Sequence, residues 1–260
     1  MAFKRINKRT PKPTLGLVGK VKIGELKTSS SGKSYPSSLG HFRFTSDNKQ
    51  YIERLEAQYN KASSIEISFL NNDPAHCVSN FYEFRDHQGK LYAEGDGDSF
   101  TIVMNNGRRV QKKHLTQEDI IEKYGSSISF MEKVEQHLNN EAKKAGKRFT
   151  CKAKEILKLR FAILGCGIMG EWELRTSGEA SSIPNILGVL DLALEANGGV
   201  LTGVVFDLSV KRVKSDKSGD SSQYSVISLT PKASNLVKSV PSDALPQSNI
   251  LLLNSGNNEH

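Results

Sequence analysis

The chain has 260 residues, 37% hydrophobic and 25% charged, a composition that excludes a fibrous or wholly disordered protein. No run reaches the ~18 apolar residues of a membrane-spanning helix, and Cys77, Cys151 and Cys166 stand too far apart for a disulfide ladder, which fits reduced thiols. The formal net charge is +8, and residues 1–35 hold nine basic side chains against Glu25 alone, so the excess is concentrated at one end.

Residues 1–14 carry Lys4, Arg5, Lys8, Arg9 and Lys12 and are broken by Pro11 and Pro13, which predicts a basic, extended or flexible arm. A concentrated positive segment suits a polyanion such as nucleic acid, because phosphate contacts release condensed counterions; Lys20 and Lys22 extend the candidate site. A merely solubilising arm is the plainer alternative. Residues 15–27 alternate, with Leu17, Val21 and Ile23 on one face, and read as a strand. A serine-glycine loop over 28–38 leads to a short aromatic strand at 41–45.

Residues 47–61 read as a helix with Asp47 as its N-cap and Ile52, Leu55 and Tyr59 at helical spacing. Residues 65–70 alternate again. Residues 80–85 and 90–95 form a hairpin around Asp86-His87-Gln88-Gly89, and 100–104 a third strand. From 115 to about 158 a charged helical insertion is expected, with Phe130, Val134 and Leu138 on one stripe. Strands are expected at 157–164 and 170–176. The next helix is capped by Ser182, has Pro184 in its first turn and stops at Gly198-Gly199. Antiparallel strands at 200–214 and 224–229 follow, then a loosely structured tail over 231–260. This order predicts one α+β domain over 15–230: a strand-rich, mostly antiparallel core with a helical insertion and one well-capped helix near the C-terminal third.

Chemistry-bearing motifs are scarce. There is no phosphate-binding GxxxxGK[ST] loop, no GxSxG elbow and no HExxH pair. His41, His76, His87 and His114 are isolated, which suits turn or surface roles. Glu94-Gly-Asp96-Gly-Asp98 offers carboxylates for a hard cation, but the spacing lacks the further oxygen ligands, so a turn between strands is the simpler reading. The cysteine spacing gives no zinc site. Gly16-Leu-Val-Gly19 matches a GxxG phosphate clamp on paper yet sits at a strand entry. Phe81, Tyr82 and Phe84 suggest base stacking, although alternation splits them between two faces. No enzyme, metal or cofactor is expected.

Gly19-Lys-Val-Lys-Ile-Gly and Tyr35-Pro-Ser-Ser-Leu-Gly-His-Phe-Arg-Phe resemble the opening pattern of the large recombination directionality factors of phages, with Phe42 in its aromatic position. Ile65-Glu-Ile-Ser-Phe-Leu-Asn-Asn-Asp is similar to that family's next strand. Asn80-Phe-Tyr-Glu-Phe, with Tyr82, and Gly89-Lys-Leu-Tyr-Ala-Glu-Gly-Asp-Gly, with Gly95 and Asp96, follow in the family order. Gly170-Glu-Trp-Glu-Leu-Arg-Thr-Ser-Gly, with Trp172 and Thr176, and Val200-Leu-Thr-Gly-Val-Val-Phe-Asp-Leu, with Phe206, complete the set over residues 17–230. The chain departs from many relatives in one respect. Their central cysteine cluster, a zinc site, is replaced by a lysine-rich block at 112–160 holding only Cys151.

The resemblance implies a non-catalytic accessory protein that binds a large serine integrase and favours excision over integration, in the cytoplasm of a bacterial host and at its nucleoid. DNA is a partner directly or through the integrase, and no membrane is involved. The basic arm is expected to touch DNA, and the helical block at 115–158 to touch the integrase. The alternative from the residues alone is a single-stranded nucleic-acid-binding replication or repair protein of a phage or mobile element, with Tyr82 or Phe84 as stacking residues.

Overall fold

The computed structural model describes residues 15–85, 89–97, 99–105, 110–116, 118, 130–144, 146, 152–215 and 223–232. Eleven strands lie among them: β1 Leu17–Thr28, β2 Ser34–Thr45, β3 Ser64–Ser68, β4 Val78–Arg85, β5 Leu91–Gly95, β6 Ser99–Asn105, β7 Val110–Thr116, β8 Lys152–Ile163, β9 Glu171–Thr176, β10 Val205–Lys214 and β11 Gln223–Pro231. The helices described are α1 Lys49–Tyr59, α2 Pro74–Cys77, α3 Phe130–Lys144 and α4 Ser182–Ala196.

β8 organises the sheet because both of its edges are used. One edge receives β4 along its first two thirds and β3 at its end; the other receives β9. From β3 the sheet runs to β10 and β11, and from β4 through β5 and β6 to β7. β9 pairs in parallel with β1, which pairs antiparallel with β2; the other strand ladders are antiparallel. β2 then lies against β10 and β11, and Ser225 Oγ donates to Leu39 O at 2.6 Å across that approach. The sheet therefore curls around one large core that includes Phe42, Phe44, Leu157, Phe161, Trp172 and Phe206.

The β8 alternation explains the curl. Leu157, Leu159, Phe161 and Ile163 point into this core, while Lys154, Lys158 and Arg160 point out. Beyond the reach of β9, the same inner side of β4 and β8 meets a second, smaller core of Phe84, Ala93, Phe100, Val134 and Leu138, roofed by α3. Glu135 of α3 accepts the Ala153 N–H at 2.8 Å, which fixes the helix on the start of β8.

The α+β class and the mixed, largely antiparallel sheet agree with the sequence pattern, but several boundaries differ. Asn48, not Asp47, caps α1, accepting the Gln50 N–H at 3.0 Å. β2 begins at Ser34 rather than 41, because its first residues, Ser34 to Ser38, are exposed or half-exposed on both faces and show no alternation. β8 begins at Lys152, so residues 152–158 are strand and not part of a helical block; outward lysines on a half-covered strand had masked it. β7 was missed for a similar reason, its Gln-Lys-Lys-His run having no apolar period. β10 starts at Val205, after a loop stapled by the Phe69–Thr202 bridge. The arm over 1–14, the 86–88 turn, Asp98, Cys151 and the tail from 233 lie outside the described residues.

The expected Ser182 cap is also corrected. Ser181 is the N-cap residue of α4 and makes no side-chain cap bond. The Ser182 hydroxyl instead accepts the Ile227 N–H at 2.9 Å, and Asn185 Oδ1 accepts the Leu229 N–H at 3.2 Å. α4 thus closes the open edge of β11, whose unpaired donors would otherwise template pairing with another chain. The far end does match expectation: Gly199, at φ 84, donates to Leu194 O at 2.7 Å and closes the helix. Ser182→Ala orphans a buried backbone donor, and the expected loss is about 1–2 kcal/mol by urea titration, with faster exchange of the Ile227 amide.

Candidate functional site: an outward basic sheet face

The residues that carry the family resemblance belong to the fold rather than to an open site. Phe42, Trp172 and Phe206 are buried in the large core, where Trp172 meets Phe44 edge-on with ring centroids 6.1 Å apart and Phe206 meets Phe69 at 5.6 Å. Thr176 is buried, and its Oγ1 accepts the Gly178 N–H at 3.3 Å. Tyr82 is half-buried against the second core. Gly95 and Asp96 make the β5–β6 turn. Asp96 Oδ1 accepts the Ser99 N–H at 2.8 Å, while a Cβ on Gly95 would lie 2.0 Å from Ser99 O. Gly19 has a similar role: a Cβ there would lie 2.3 Å from the Trp172 ring, which explains the glycine without a phosphate clamp.

Among the described residues, no group of three or more His, Cys, Asp or Glu side chains is placed to hold a metal ion. Burial pushes the Cys77 thiol up to about 11, and the thiol donates to Asn71 O at 3.1 Å, so it stays protonated at neutral pH. Cys166 is also free and buried. His76 Nε2 lies 2.8 Å and 2.9 Å from the two oxygens of Glu171. No helix is long and apolar enough to cross a membrane among the described residues.

Two clefts mark the surface. One, of about 490 Å³, is lined by Tyr59, Glu66, Gly165 and Asp207, and its Glu66 pairs with Lys232. The other, of about 400 Å³, is lined by Lys20, Lys22, Glu173 and Arg175. It brings two of the expected nucleic-acid residues onto the outer side of the β1–β9–β8–β4 sheet, where both are exposed. Lys4, Arg5, Lys8, Arg9 and Lys12 lie outside the described residues; their segment leads into β1.

Sequence reasoning missed the rest of this face. Register sets Arg175 opposite Lys158 and Arg160 opposite Glu173, and the last pair lies 3.8 Å apart. Lys158 Nζ and the Arg175 guanidinium each sit 5.6 Å from the centre of the Phe81 ring, a cation–π arrangement on both counts. Glu83 is the buried anchor. It pairs with Arg85 at 2.7 Å and with Arg175, and both arginines remain partly exposed. The only sequence signal was the odd-numbered alternation of Phe81, Glu83 and Arg85 on one side of β4.

Burial raises the affinity of Glu83 for a proton, but the Arg85 hydrogen bond and the charge of Arg175 outweigh it and hold the carboxyl below its ordinary range. A depressed folded-state value means that the stabilisation is complete above the unfolded carboxyl pKa of about 4.3 and disappears as pH falls through the folded value. Glu83→Gln is therefore expected to cost about 1–2 kcal/mol at neutral pH, discounted because the arginines can turn to water, and progressively less in acid. Chemical denaturation of both proteins across that acid range checks the sign.

The family model described as Gp3-like, recombination directionality factor-like, matches residues 18–232. No curated protein and no solved structure matches the chain. The matched span begins one residue inside β1 and ends one residue past β11, so it takes in both cores and the whole basic face. The chain belongs to the recombination directionality factor-like family.

Proposed function

We propose that the protein is a non-catalytic recombination accessory factor that binds the serine integrase of its own element and biases it toward excision, acting in the bacterial cytoplasm and at the nucleoid. The observation that carries this reading is the family match over 18–232, with the motif residues occupying the two cores and the β5–β6 turn. A factor of this kind works by binding one integrase conformation better than another; only that differential affinity shifts the outcome. The basic arm with Lys20 and Lys22 supplies DNA contact in this reading.

The integrase contact is proposed on α3. Its inner stripe, Val134 and Leu138, is committed to the second core, while Glu132, Gln136 and Asn140 face outward. Removing the whole segment would uncover Phe84 and Phe100, so surface substitutions are the cleaner probe. Gln136→Arg with Asn140→Arg is expected to weaken integrase binding, measured by surface-immobilised titration, with thermal stability unchanged.

The primary test is recombination between attL and attR by the cognate integrase, with and without the protein. Stimulated excision together with inhibited integration is the expected result; no effect on an active integrase would remove the reading. The single-strand-binding alternative loses one of its two stacking residues, because Phe84 is fully buried beside Phe100, while Tyr82 is half-buried.

A further inference from the structure

Directly opposed like charges destabilise a sheet, so neighbouring strands normally alternate sign or carry neutral residues on a solvated face. One line across the outer side of β2, β1, β9 and β8 does the opposite, although the next line, Lys20–Glu173–Arg160, alternates in sign. Arg43 stands opposite Lys22, and Arg175 opposite Lys158. The parallel β1–β9 register, which sets Val21 beside Leu174, places Lys22 beside Arg175, and both line one cleft. Four cations therefore form one row across four adjacent strands. At about 4.8 Å per strand the row is roughly 14 Å long.

Packing does not require this row. The inner positions of the same strands, including Val21, Phe42, Phe44, Leu157 and Leu174, already fill the core, and the outer ones are open to any soluble residue. Arg175 is held by Glu83, whereas no ion pair joins Arg43, Lys22 or Lys158 to a carboxylate among the described residues. A row in which three of four cations lack an ion-pair partner among the described residues is what a fixed anionic partner would neutralise.

We propose that the Arg43–Lys22–Arg175–Lys158 row is a docking track for the phosphate backbone of duplex DNA. A duplex carries one charge per ~1.7 Å of axis, so a row of this length faces several phosphates. The backbone is favoured over stacked single-stranded bases by Phe81, the aromatic ring beside the row. Its face is taken by Lys158 and Arg175 and is not open to a base. Contacts of this kind position a protein on DNA without reading sequence. The track rests on the DNA contact proposed above for Lys22 and extends it to named partners; DNA binding and excision bias are separate measurements, so either can fail without the other.

The test uses the full chain and a labelled mixed-sequence duplex, with anisotropy titrations over a range of salt. The double variant Lys22→Gln with Lys158→Gln leaves the Glu83–Arg175 pair intact. Its affinity is expected to fall about tenfold, and its slope of log affinity against log salt to shrink by about 2, near 0.9 per lost contact. Its melting temperature should hold or rise, since like-charge repulsion is relieved; a purely structural role would lower it. Lys211→Gln with Lys214→Gln removes the same charge from β10 and should leave binding near wild type. Four results would overturn the track: no salt-dependent duplex binding by the wild type, an unchanged slope in the first variant, equal losses in both variants, or tighter binding of a single strand than of the duplex. If the first variant loses integrase affinity while the wild type ignores DNA, the row instead serves an acidic protein surface.

Discussion

Trp172→Ala is expected to cost about 3–5 kcal/mol, the range for removing a large buried aromatic from a packed core. That is a large share of a typical domain's total stability, so much of the protein should be unfolded near 37 °C. The indole is fully buried on β9, meets Phe44 edge-on, and fits against the bare backbone of Gly19 on β1. Removing it empties the joint where the parallel β1–β9 ladder meets the β1–β2 hairpin. Trp172→Phe should cost much less, because it keeps most of the ring volume and the indole Nε1 makes no hydrogen bond among the described residues. Denaturant titration of the two variants checks the order. If Trp172→Ala unfolds at the wild-type midpoint, the core assignment of this residue is wrong.

Phe84→Ala should cost a comparable amount, about 3–5 kcal/mol, but the loss should be local. Phe84 stacks edge-on against Phe100 with centroids 5.4 Å apart, in a core that also holds Ala93, Val134 and Leu138. So small a cluster has little reserve, and α3 depends on it for most of its apolar burial. Hydrogen exchange should show lost protection in β5, β6 and α3, while the β3, β9 and β10 amides stay protected. Because the proposed integrase contact sits on α3, this variant should also lose excision stimulation while keeping any salt-sensitive DNA affinity carried by the row on the opposite side of the sheet. Uniform loss of protection throughout the chain would show that the two cores unfold as one cooperative unit.

The sequence by itself determined the elements whose two faces differ. Alternation marked β3 and β9, the hydrophobic spacing of Ile52, Leu55 and Tyr59 marked α1, and the paired glycines after Ala196 marked the end of α4. Motif order along the chain was enough to indicate the family, because the residues concerned are core aromatics and turn glycines whose chemistry is fixed by local packing. Strands with polar residues on both sides were invisible to the same reasoning. β7, with its Gln-Lys-Lys-His run, and the first residues of β2 carry no apolar period in the sequence, although both are paired strands.

Only the tertiary structure decided what Ser182 and Glu83 do and where the cations gather. Ser182 looked like a helix cap, yet its hydroxyl serves a strand 45 residues away, a choice set by how α4 docks. Positions 22, 43, 158 and 175 share no local motif. They become neighbours because strand register, not distance along the chain, determines which side chains stand side by side on a sheet.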